Sequence, residues 1–423
     1  MSVLRLLVVS NEPLNKSNSN GRTMANLLAA FASSELAQFY IHGAPDFSLC
    51  ANYYRVSDRD ALAAFKSLKP YRKSGVVEAE GEEMSADGAG EKKHSRNCRN
   101  RVLRDIVWRS FRWWNRAFDR FLDEFAPTAV LLQAGDAPFM FRIARKIAKK
   151  RKLPLFMYNS EGYVLKEVLY SSASKKDPWH NALQRRLRRE YRRFMKDADF
   201  CFYITEYLEA CYQEKYPHPG KSRALYTPSE LTAIPDKSGT PFRLMYCGNL
   251  GVGRIPSLCE VARALGGVDA DATLDVYGRF ISLEDEEALC AFSNVRYFGI
   301  VPYAEIPRVM SEASMLLHCE NPERLVNLRH AFSTKIADSL ASGRPFLVYA
   351  SREYPFVQYL EKHNAAHIAE SEEELKTVFK DCFAGEEMLV SCTKNARELA
   401  QENHNKERNA SQLRRVIEGT IFK

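Results

Sequence analysis

The residue types best suited to chemistry in this 423-residue chain lie in one short segment, 332–345 (FSTKIADSLASGRP). Ser333 and Thr334 are typical of the start of a helix, where free backbone N–H groups bind phosphate. Lys335 falls in the first turn, where a cation is unfavourable unless an anion lies nearby. Asp338, on the same helix face, suits a carboxylate that accepts a hydrogen bond from a ribose hydroxyl. The segment favours a nucleotide site; the alternative is a solvated ion pair between Lys335 and Asp338.

A second segment with suitable chemistry is the loop 247–254 (CGNLGVGR), which follows an apolar, strand-like run. Its three glycines let the backbone approach a bound group closely, and Gly248 and Asn249 lie where the loop leaves the strand. Arg254 stands at the start of the next predicted helix, where a guanidinium and helix N–H groups together suit a diphosphate. The alternative interpretation is a tight turn from strand to helix that binds nothing.

Carboxylates elsewhere in the chain give weaker signals. Glu161 follows the predicted strand 155–158, and at the carboxyl end of a strand it suits a group that binds substrate hydroxyls or acts as a base. A loop carboxylate without a role is the alternative. The triplets 197–199 and 269–271 both read DAD, which is the spacing of a metal-binding pair of aspartates. We expect no metal at either, because the first closes a predicted helix and the second lies in a loop before a strand.

Charge is divided unevenly along the chain. Residues 1–240 carry a net charge of +13 and residues 241–423 a net charge of −5. The basic predicted helix 181–197 and the aromatic, basic predicted helix 99–125 fit docking to an anionic membrane. A solvated polar face over a core of aromatic rings is the alternative, and nucleic acid is not expected because no motif that reads it is present. The predicted membrane-facing residues are Arg185, Arg188, Arg189 and Arg192, supported by Trp108, Trp113 and Trp114 of the second helix.

Alternating strand-like and helical runs position these residues. Their order predicts an α/β fold with doubly wound parallel sheets, in which ligands bind at the carboxyl ends of the strands. A break rich in Pro and Gly at 216–240 separates two such series. We therefore expect two Rossmann-like domains facing a central cleft, at 1–235 and 236–400. A mobile insertion at about 74–98 interrupts the first domain, and a C-terminal helix, 401–423, is expected to pack back onto it.

Composition excludes several classes of protein. A hydrophobic share of 45% excludes wholesale disorder, and no run reaches the ~18 apolar residues that a membrane span needs. The ten cysteines contain no CxxC pair, so we expect neither a zinc site nor a disulfide framework. The first residues (MSVLRLL) lack the pattern of a secretory signal, so a cytoplasmic protein is expected.

Four motifs, taken in order, give the second predicted domain a resemblance to a known family. They are YCGNLGVGR (246–254), LDVYGRF (274–280), YFGIVPYAEIPRVMSEASMLL (297–317) and FSTKIADSLASGRP (332–345). The domain resembles the donor domain of the GT-B glycosyltransferases, specifically the retaining family-four group of the bacterial surface polysaccharide type. The N-terminal strand and the loop that contains Gly21 match more loosely.

The resemblance implies roles for individual residues. Lys335 and Arg254 would grip the donor diphosphate and act in catalysis, and Ser333 and Thr334 would donate backbone hydrogen bonds to phosphate. Asp338 takes the place of the family's ribose-binding glutamate. The other donor-binding positions are Gly21, in the loop that closes on the phosphates, Gly248, Asn249, and Val301, whose backbone would contact the nucleobase. No metal is required in this group, because cations and helix N-termini stabilise the leaving nucleotide.

One position departs from the family's pattern. The first of its paired glutamates would fall at His330, so that carboxylate is absent. A non-catalytic GT-B partner subunit therefore stays open as an alternative, and a nucleotide-sugar 2-epimerase is another enzyme class on the same fold.

The expected activity is transfer of a sugar from a UDP- or GDP-linked donor to a glycan or lipid-linked acceptor, with retention of configuration. Glu161 is expected to serve the acceptor side of the reaction. The expected partners are the nucleotide sugar, that acceptor and an anionic surface at the inner face of the plasma membrane. Neither nucleic acid nor a metal cofactor is expected, and the sequence leaves the sugar and the oligomeric state open.

Overall fold

The computed structural model describes residues 4–16, 19–67, 75–77, 97–166, 177–251, 253–321, 328–384 and 387–422, with the backbone alone for 387–390. The predicted insertion at 74–98 lies almost entirely outside these residues. The chain forms two compact units, Met1–Tyr226 with Glu407–Lys423, and Thr227–Lys406. Both units are built on largely parallel α/β sheets, which confirms the predicted fold class. The boundaries at 235 and 400 stay predictions.

An eight-stranded sheet forms the centre of the first unit. Its strands are β1 (Leu6–Val9), β2 (Leu36–Tyr40), β3 (Asn52–Arg55), β4 (Gly75–Val77), β5 (Ala129–Gln133), β6 (Leu155–Asn159), β7 (Phe200–Tyr203) and β8 (Ser222–Ala224). They lie in the order β4-β3-β2-β1-β5-β6-β7-β8, parallel except for β4, which runs antiparallel to β3. The central strands β1, β5 and β6 are almost wholly apolar and buried, as expected for parallel strands covered by helices on both faces.

Helices connect the strands of the first unit. They are α1 (Ser19–Leu27), α2 (Asp58–Lys66), α3 (Cys98–Arg109), α4 (Arg116–Phe125), α5 (Pro138–Arg151), α6 (Pro178–Asp197) and α7 (Glu206–Lys215). Local sequence explains several starts, because Ser57 caps α2 by accepting the N–H of Asp60 and Asn115 caps α4 by accepting the N–H of Phe118.

The predicted single helix 99–125 is wrong, because α3 and α4 are separated by a turn. Phe111, in that turn, has a φ of +54°, a left-handed conformation that interrupts a right-handed helix. Trp108 and Trp113 are buried, and the Trp108 ring stacks on Phe139 with 4.8 Å between centroids. These two rings therefore belong to the core of the first unit and do not support a membrane-facing surface.

A six-stranded parallel sheet forms the centre of the second unit. Its strands are β9 (Arg243–Asn249), β10 (Thr273–Arg279), β11 (Val295–Gly299), β12 (Met315–Cys319), β13 (Phe346–Tyr349) and β14 (His367–Ala369), in the order β11-β10-β9-β12-β13-β14. Its helices are α8 (Ile255–Val268), α9 (Leu283–Cys290), α10 (Ile306–Glu312), α11 (Thr334–Ser342), α12 (Pro355–Lys362), α13 (Glu372–Ala384) and α14 (Glu387–Asn403), with a 3₁₀ turn at Tyr303–Glu305. A continuous apolar cluster from β9, β10, β12, α8 and α13 forms its core.

The C-terminal helix expected at 401–423 begins only at Lys406. The chain breaks at His404, and α15 (Lys406–Ile421) follows α14. From Glu407 onwards the chain belongs to the first unit, where Arg414 donates two hydrogen bonds to Glu35, at 2.8 and 2.9 Å. None of the helices within the described ranges is long and apolar enough to cross a membrane.

Candidate functional site

The start of α11 has the features that the sequence predicts for an anion site. Ser333 occupies the N-cap position with extended backbone, its side chain makes no capping hydrogen bond, and Thr334 is the first helical residue. No acidic residue stands in the first turn, where Lys335 lies. A helix start with this composition carries positive potential from both its N–H groups and the lysine.

Asp338 lies one turn further along α11 in a buried polar cluster. Its side chain accepts hydrogen bonds at one oxygen, Oδ1, from the Ser229 hydroxyl at 2.7 Å and from the Tyr303 hydroxyl at 3.2 Å. Only 7% of Asp338 is exposed, so its carboxylate does not lie on a solvated surface.

Arg254 is held in place at the start of α8 by two partners. Its Nε donates to Glu320 at 3.1 Å, its Nη2 donates to the other oxygen of Glu320, and its Nη1 donates to the Asn249 carbonyl at 3.0 Å. Glu320 follows β12, which pairs directly with β9, so the two charges leave neighbouring strands of the sheet. Sequence reasoning missed Glu320, although its place at the end of an apolar run is the signal that it shares with Asn249.

The charges around Glu320 set its ionisation. Burial acts to raise the pKa of Glu320, but His318, with its Nε2 3.5 Å from Oε1, and the positive charge of Arg254 outweigh burial and lower it to about 2. Burial lowers the pKa of His318, and the charges of Arg254 and Lys335 lower it further. The charges of both Lys335 and Arg254 therefore influence the ionisation of His318.

Glycine is required for steric reasons near the ends of β9 and β10. A Cβ on Gly248 would lie 2.6 Å from the Tyr246 hydroxyl, which donates to the Asn249 carbonyl at 2.8 Å. A Cβ on Gly278, at the matching position of β10, would collide with the Gly248 carbonyl oxygen. The glycines therefore let the ends of β9 and β10 lie close together at the edge that carries Arg254.

Val301 is half-buried in the short link between β11 and the 3₁₀ turn. Two residues later Tyr303 reaches Asp338, so the link is tied to α11. The second unit thus brings the predicted positions Arg254, Asn249, Lys335 and Asp338 to one end of its sheet. Their roles stay predictions, as do those of Val301 and Gly248.

In the first unit, Glu161 follows β6 and forms an ion pair with Lys166. Lys166 is almost wholly buried, and burial lowers its pKa to about 7 although the charge of Asp136 opposes the shift. Glu161 is therefore not a loop carboxylate without contacts. Gly21 lies inside α1, not in a loop, and a Cβ there would stand 2.6 Å from the Asn15 carbonyl oxygen.

The predicted membrane-facing arginines occupy one long helix, α6. Arg185, Arg189 and Arg192 are exposed, whereas Arg188 is half-buried and donates to the Val164 carbonyl at 3.3 Å. A neighbouring arginine of α6, Arg186, forms an ion pair with the buried Asp105 inside the first unit.

The aspartates of the two DAD triplets make contacts with nearby groups. Asp197 pairs with Arg145 and Lys149, and Asp199 accepts the N–H of Leu155 at 2.8 Å. Asp269 accepts the N–H of Asp271 within its own loop. Among the residues that the structure describes, no group of three or more His, Cys, Asp or Glu is placed to hold a metal ion.

Comparisons with known proteins agree with this architecture. Residues 256–415 match the family model described as Glycosyl transferase-like, and no curated protein matches the chain. Anabaena HepE in complex with UDP has a similar structure, with a TM-score of 0.64 and 10% sequence identity over 98% of this chain and 100% of that one. Its complex with UDP-glucose gives 0.61 and 10% over 98% and 99%. Sucrose-phosphate synthase from Thermosynechococcus elongatus gives 0.58 and 12% over 97% and 98%.

The family match covers most of the second unit, and the structural likeness extends over both units. The fold that the four motifs led us to expect is therefore confirmed. Residues 256–415 are similar to the glycosyl transferase-like family, and the chain has the fold of the GT-B glycosyltransferases.

Proposed function

We propose that this protein is a glycosyltransferase that uses a nucleotide diphosphate sugar as its donor, with UDP as the favoured carrier. HepE, which shares the fold, forms complexes with UDP and with UDP-glucose. The observation that carries the proposal is the position of Arg254 and of the start of α11, which carries Lys335, at the carboxyl edge of one parallel sheet. Parallel α/β sheets bind phosphates at this edge, where N–H groups and cations offset the negative charge.

The reaction makes a specific demand on these groups. The bond between the anomeric carbon and the diphosphate oxygen breaks, the acceptor oxygen bonds to that carbon, and the acceptor loses its hydroxyl proton. Negative charge grows on the leaving diphosphate, and preorganised donors stabilise it most effectively. The contacts of Arg254 with Glu320 and Asn249 fix its orientation, so its guanidinium group would meet phosphate oxygens without further ordering of the side chain.

On the acceptor side, we place Glu161 in the role of the group that binds or deprotonates the attacking hydroxyl. The ion pair with Lys166 holds the Glu161 carboxyl group in place, and the carboxylate is the form of this group that accepts a proton. Retention of the anomeric configuration belongs to this proposal, as does a glycan or lipid-linked acceptor. The exposed arginines of α6 support docking to an anionic membrane that would carry such a lipid.

The donor site is tested by nucleotide binding. A thermal-shift series with UDP, GDP, ADP, CMP and dTDP should show a rise in melting temperature with UDP. Lys335→Ala should lose most of that rise, because a charge-assisted contact to phosphate contributes roughly 1.5–3 kcal/mol. Lys362→Ala, an exposed lysine on α12 of the same unit, is the matched control and should behave as the wild type. An identical UDP response in both variants would contradict the site.

One observation favours a second candidate function, a non-catalytic partner that only binds nucleotide. Glu320 already neutralises the charge of Arg254, and His330 stands where the family has a carboxylate. Binding of UDP without hydrolysis or transfer of UDP-glucose, across a panel of lipid and glycan acceptors, would support this function over the transferase.

A further inference from the structure

Three separated elements of the second unit meet at the Asp338 carboxylate. Asp338 belongs to α11, Tyr303 to the 3₁₀ turn after β11, and Ser229 to the extended segment that opens the unit. Both hydroxyls donate to the same oxygen, Oδ1, at 2.7 Å from Ser229 and 3.2 Å from Tyr303. Two donors on one oxygen restrict rotation of the carboxylate about its Cβ–Cγ bond, so its direction is set before any ligand binds.

The contacts of Ser229 determine the direction of its hydrogen bond. Its oxygen accepts the N–H of Leu231 at 3.0 Å, so its one hydroxyl proton goes to Asp338. Its own N–H donates to the His404 carbonyl at 2.9 Å, and only 5% of Ser229 is exposed. The serine is therefore a fixed donor and not a surface hydroxyl that happens to lie near a carboxylate.

The segment that carries Ser229 is itself anchored. The His404 Nδ1 lies 2.8 Å from the Thr227 carbonyl, which only accepts, so Nδ1 carries the proton and Nε2 accepts from the Tyr359 hydroxyl at 3.1 Å. The Phe332 ring, next to Ser333, stacks on His404 with 5.5 Å between centroids. The support of Asp338 and the start of α11 therefore rest on one rigid cluster.

We propose that Ser229 and Tyr303 are positioning residues, which aim the Asp338 carboxylate at the ribose hydroxyls of the donor and so restrict the donor to ribonucleotides. This inference rests on the proposed donor site. An aspartate has one methylene fewer than the family's glutamate, so it reaches less far and gains more from a fixed direction. Nucleotides without ribose hydroxyls cannot donate a hydrogen bond to this oriented carboxylate, and they should bind less tightly.

The test compares UDP with 2′,3′-dideoxy-UDP by isothermal titration calorimetry. The wild type should prefer UDP by roughly tenfold or more, since the hydrogen bond involves a charged group. Ser229→Ala and Tyr303→Phe should each reduce that preference several-fold and leave the affinity for dideoxy-UDP unchanged. Ser229→Thr keeps the hydroxyl and should restore the preference. A purely structural role would weaken both ligands equally and would not be rescued by threonine.

The possible outcomes separate this inference from the proposed function. If the wild type binds neither nucleotide, the proposed function fails and the inference fails with it. If the wild type binds UDP but the two variants keep its preference, the donor site stands and the inference is overturned. Tyr303 is only half-buried, so Tyr303→Phe provides the comparison even if Ser229→Ala does not fold.

Discussion

At the scale of single residues, the ion pair between Arg254 and Glu320 determines the charge of the candidate site. Their side chains are 11% and 7% exposed, so removing one charge leaves the other uncompensated in a low-dielectric region. We expect Glu320→Gln to lower the free energy of unfolding by about 3 kcal/mol or more. Glu312→Gln, which breaks the exposed pair with Arg308, should cost less than ~1 kcal/mol. Urea unfolding measures the loss of unfolding free energy in both variants. Equal losses would mean that the buried pair contributes no more to stability than the exposed pair.

Residues of the candidate site show which features a local sequence pattern can predict. Ser333, Thr334 and Lys335 are placed correctly at the start of a helix because capping and charge rules act within one turn. Glu320 and Ser229 were missed because their partners lie 66 and 109 residues away along the chain. Such contacts depend on which strands are neighbours, and no local pattern contains that information.

At the scale of elements, the close approach of β9 and β10 depends on glycine. Gly278→Ala should lower the free energy of unfolding by roughly 1–3 kcal/mol, because its Cβ meets the Gly248 carbonyl and the strand ends must separate. Gly267→Ala is the matched control, since Gly267 lies in α8 with nothing within 4 Å of its Cβ position. There alanine should stabilise the helix by roughly 0.5–1 kcal/mol. Opposite signs in urea unfolding are expected; two changes of the same sign would contradict the steric argument.

The contact between His404, which follows α14, and the extended segment that opens the second unit should make the stability of the protein sensitive to acid. Burial lowers the pKa of His404 to about 4, from an ordinary value near 6.5. As the pH falls between these values, the unfolded chain takes up a proton that the folded protein refuses, so stability present above pH 6.5 is lost towards pH 4. The loss from this group is up to about 3 kcal/mol. His404→Gln should flatten the plot of unfolding free energy against pH in this window, and an unchanged slope would remove His404 as the cause.

Elements were predicted well where their patterns were long. The predicted strand 155–158 exists as β6 and the strand-like run before the loop 247–254 exists as β9, whereas β14, at three residues, is too short to show a pattern. The prediction failed at breaks inside helical runs. Phe111 adopts a left-handed φ that is uncommon for phenylalanine and that the sequence does not indicate. His404 ends α14 because its ring is held by the distant Thr227 carbonyl.

At the scale of the whole molecule, the sequence shows that charge is distributed unevenly, and the contacts show which of the charged side chains are paired. Residues 1–240 have a net charge of +13, yet part of that charge is used inside the first unit. Arg142 and Arg186 both pair with Asp105, which is fully buried, and Arg142 also pairs with Glu190. On the exposed side of α6, Arg189 also pairs with the buried Glu190, and Arg185 and Arg192 are exposed.

This surface gives a prediction for the intact protein. Replacing Arg185, Arg188, Arg189 and Arg192 by glutamine should reduce binding to liposomes rich in phosphatidylserine by two orders of magnitude or more, since each nearby cation contributes ~1 kcal/mol.

The control replaces four exposed cations of the second unit, Lys362, Lys380, Lys394 and Arg397, so that both variants have the same net charge. If binding followed net charge alone, both variants would lose it equally. We expect loss only in the first variant, with UDP affinity unchanged in both, because docking to a surface depends on cations that share one face and not on the total charge. Equal retention of liposome binding in the two variants would remove the membrane from the proposed function while leaving the donor site intact.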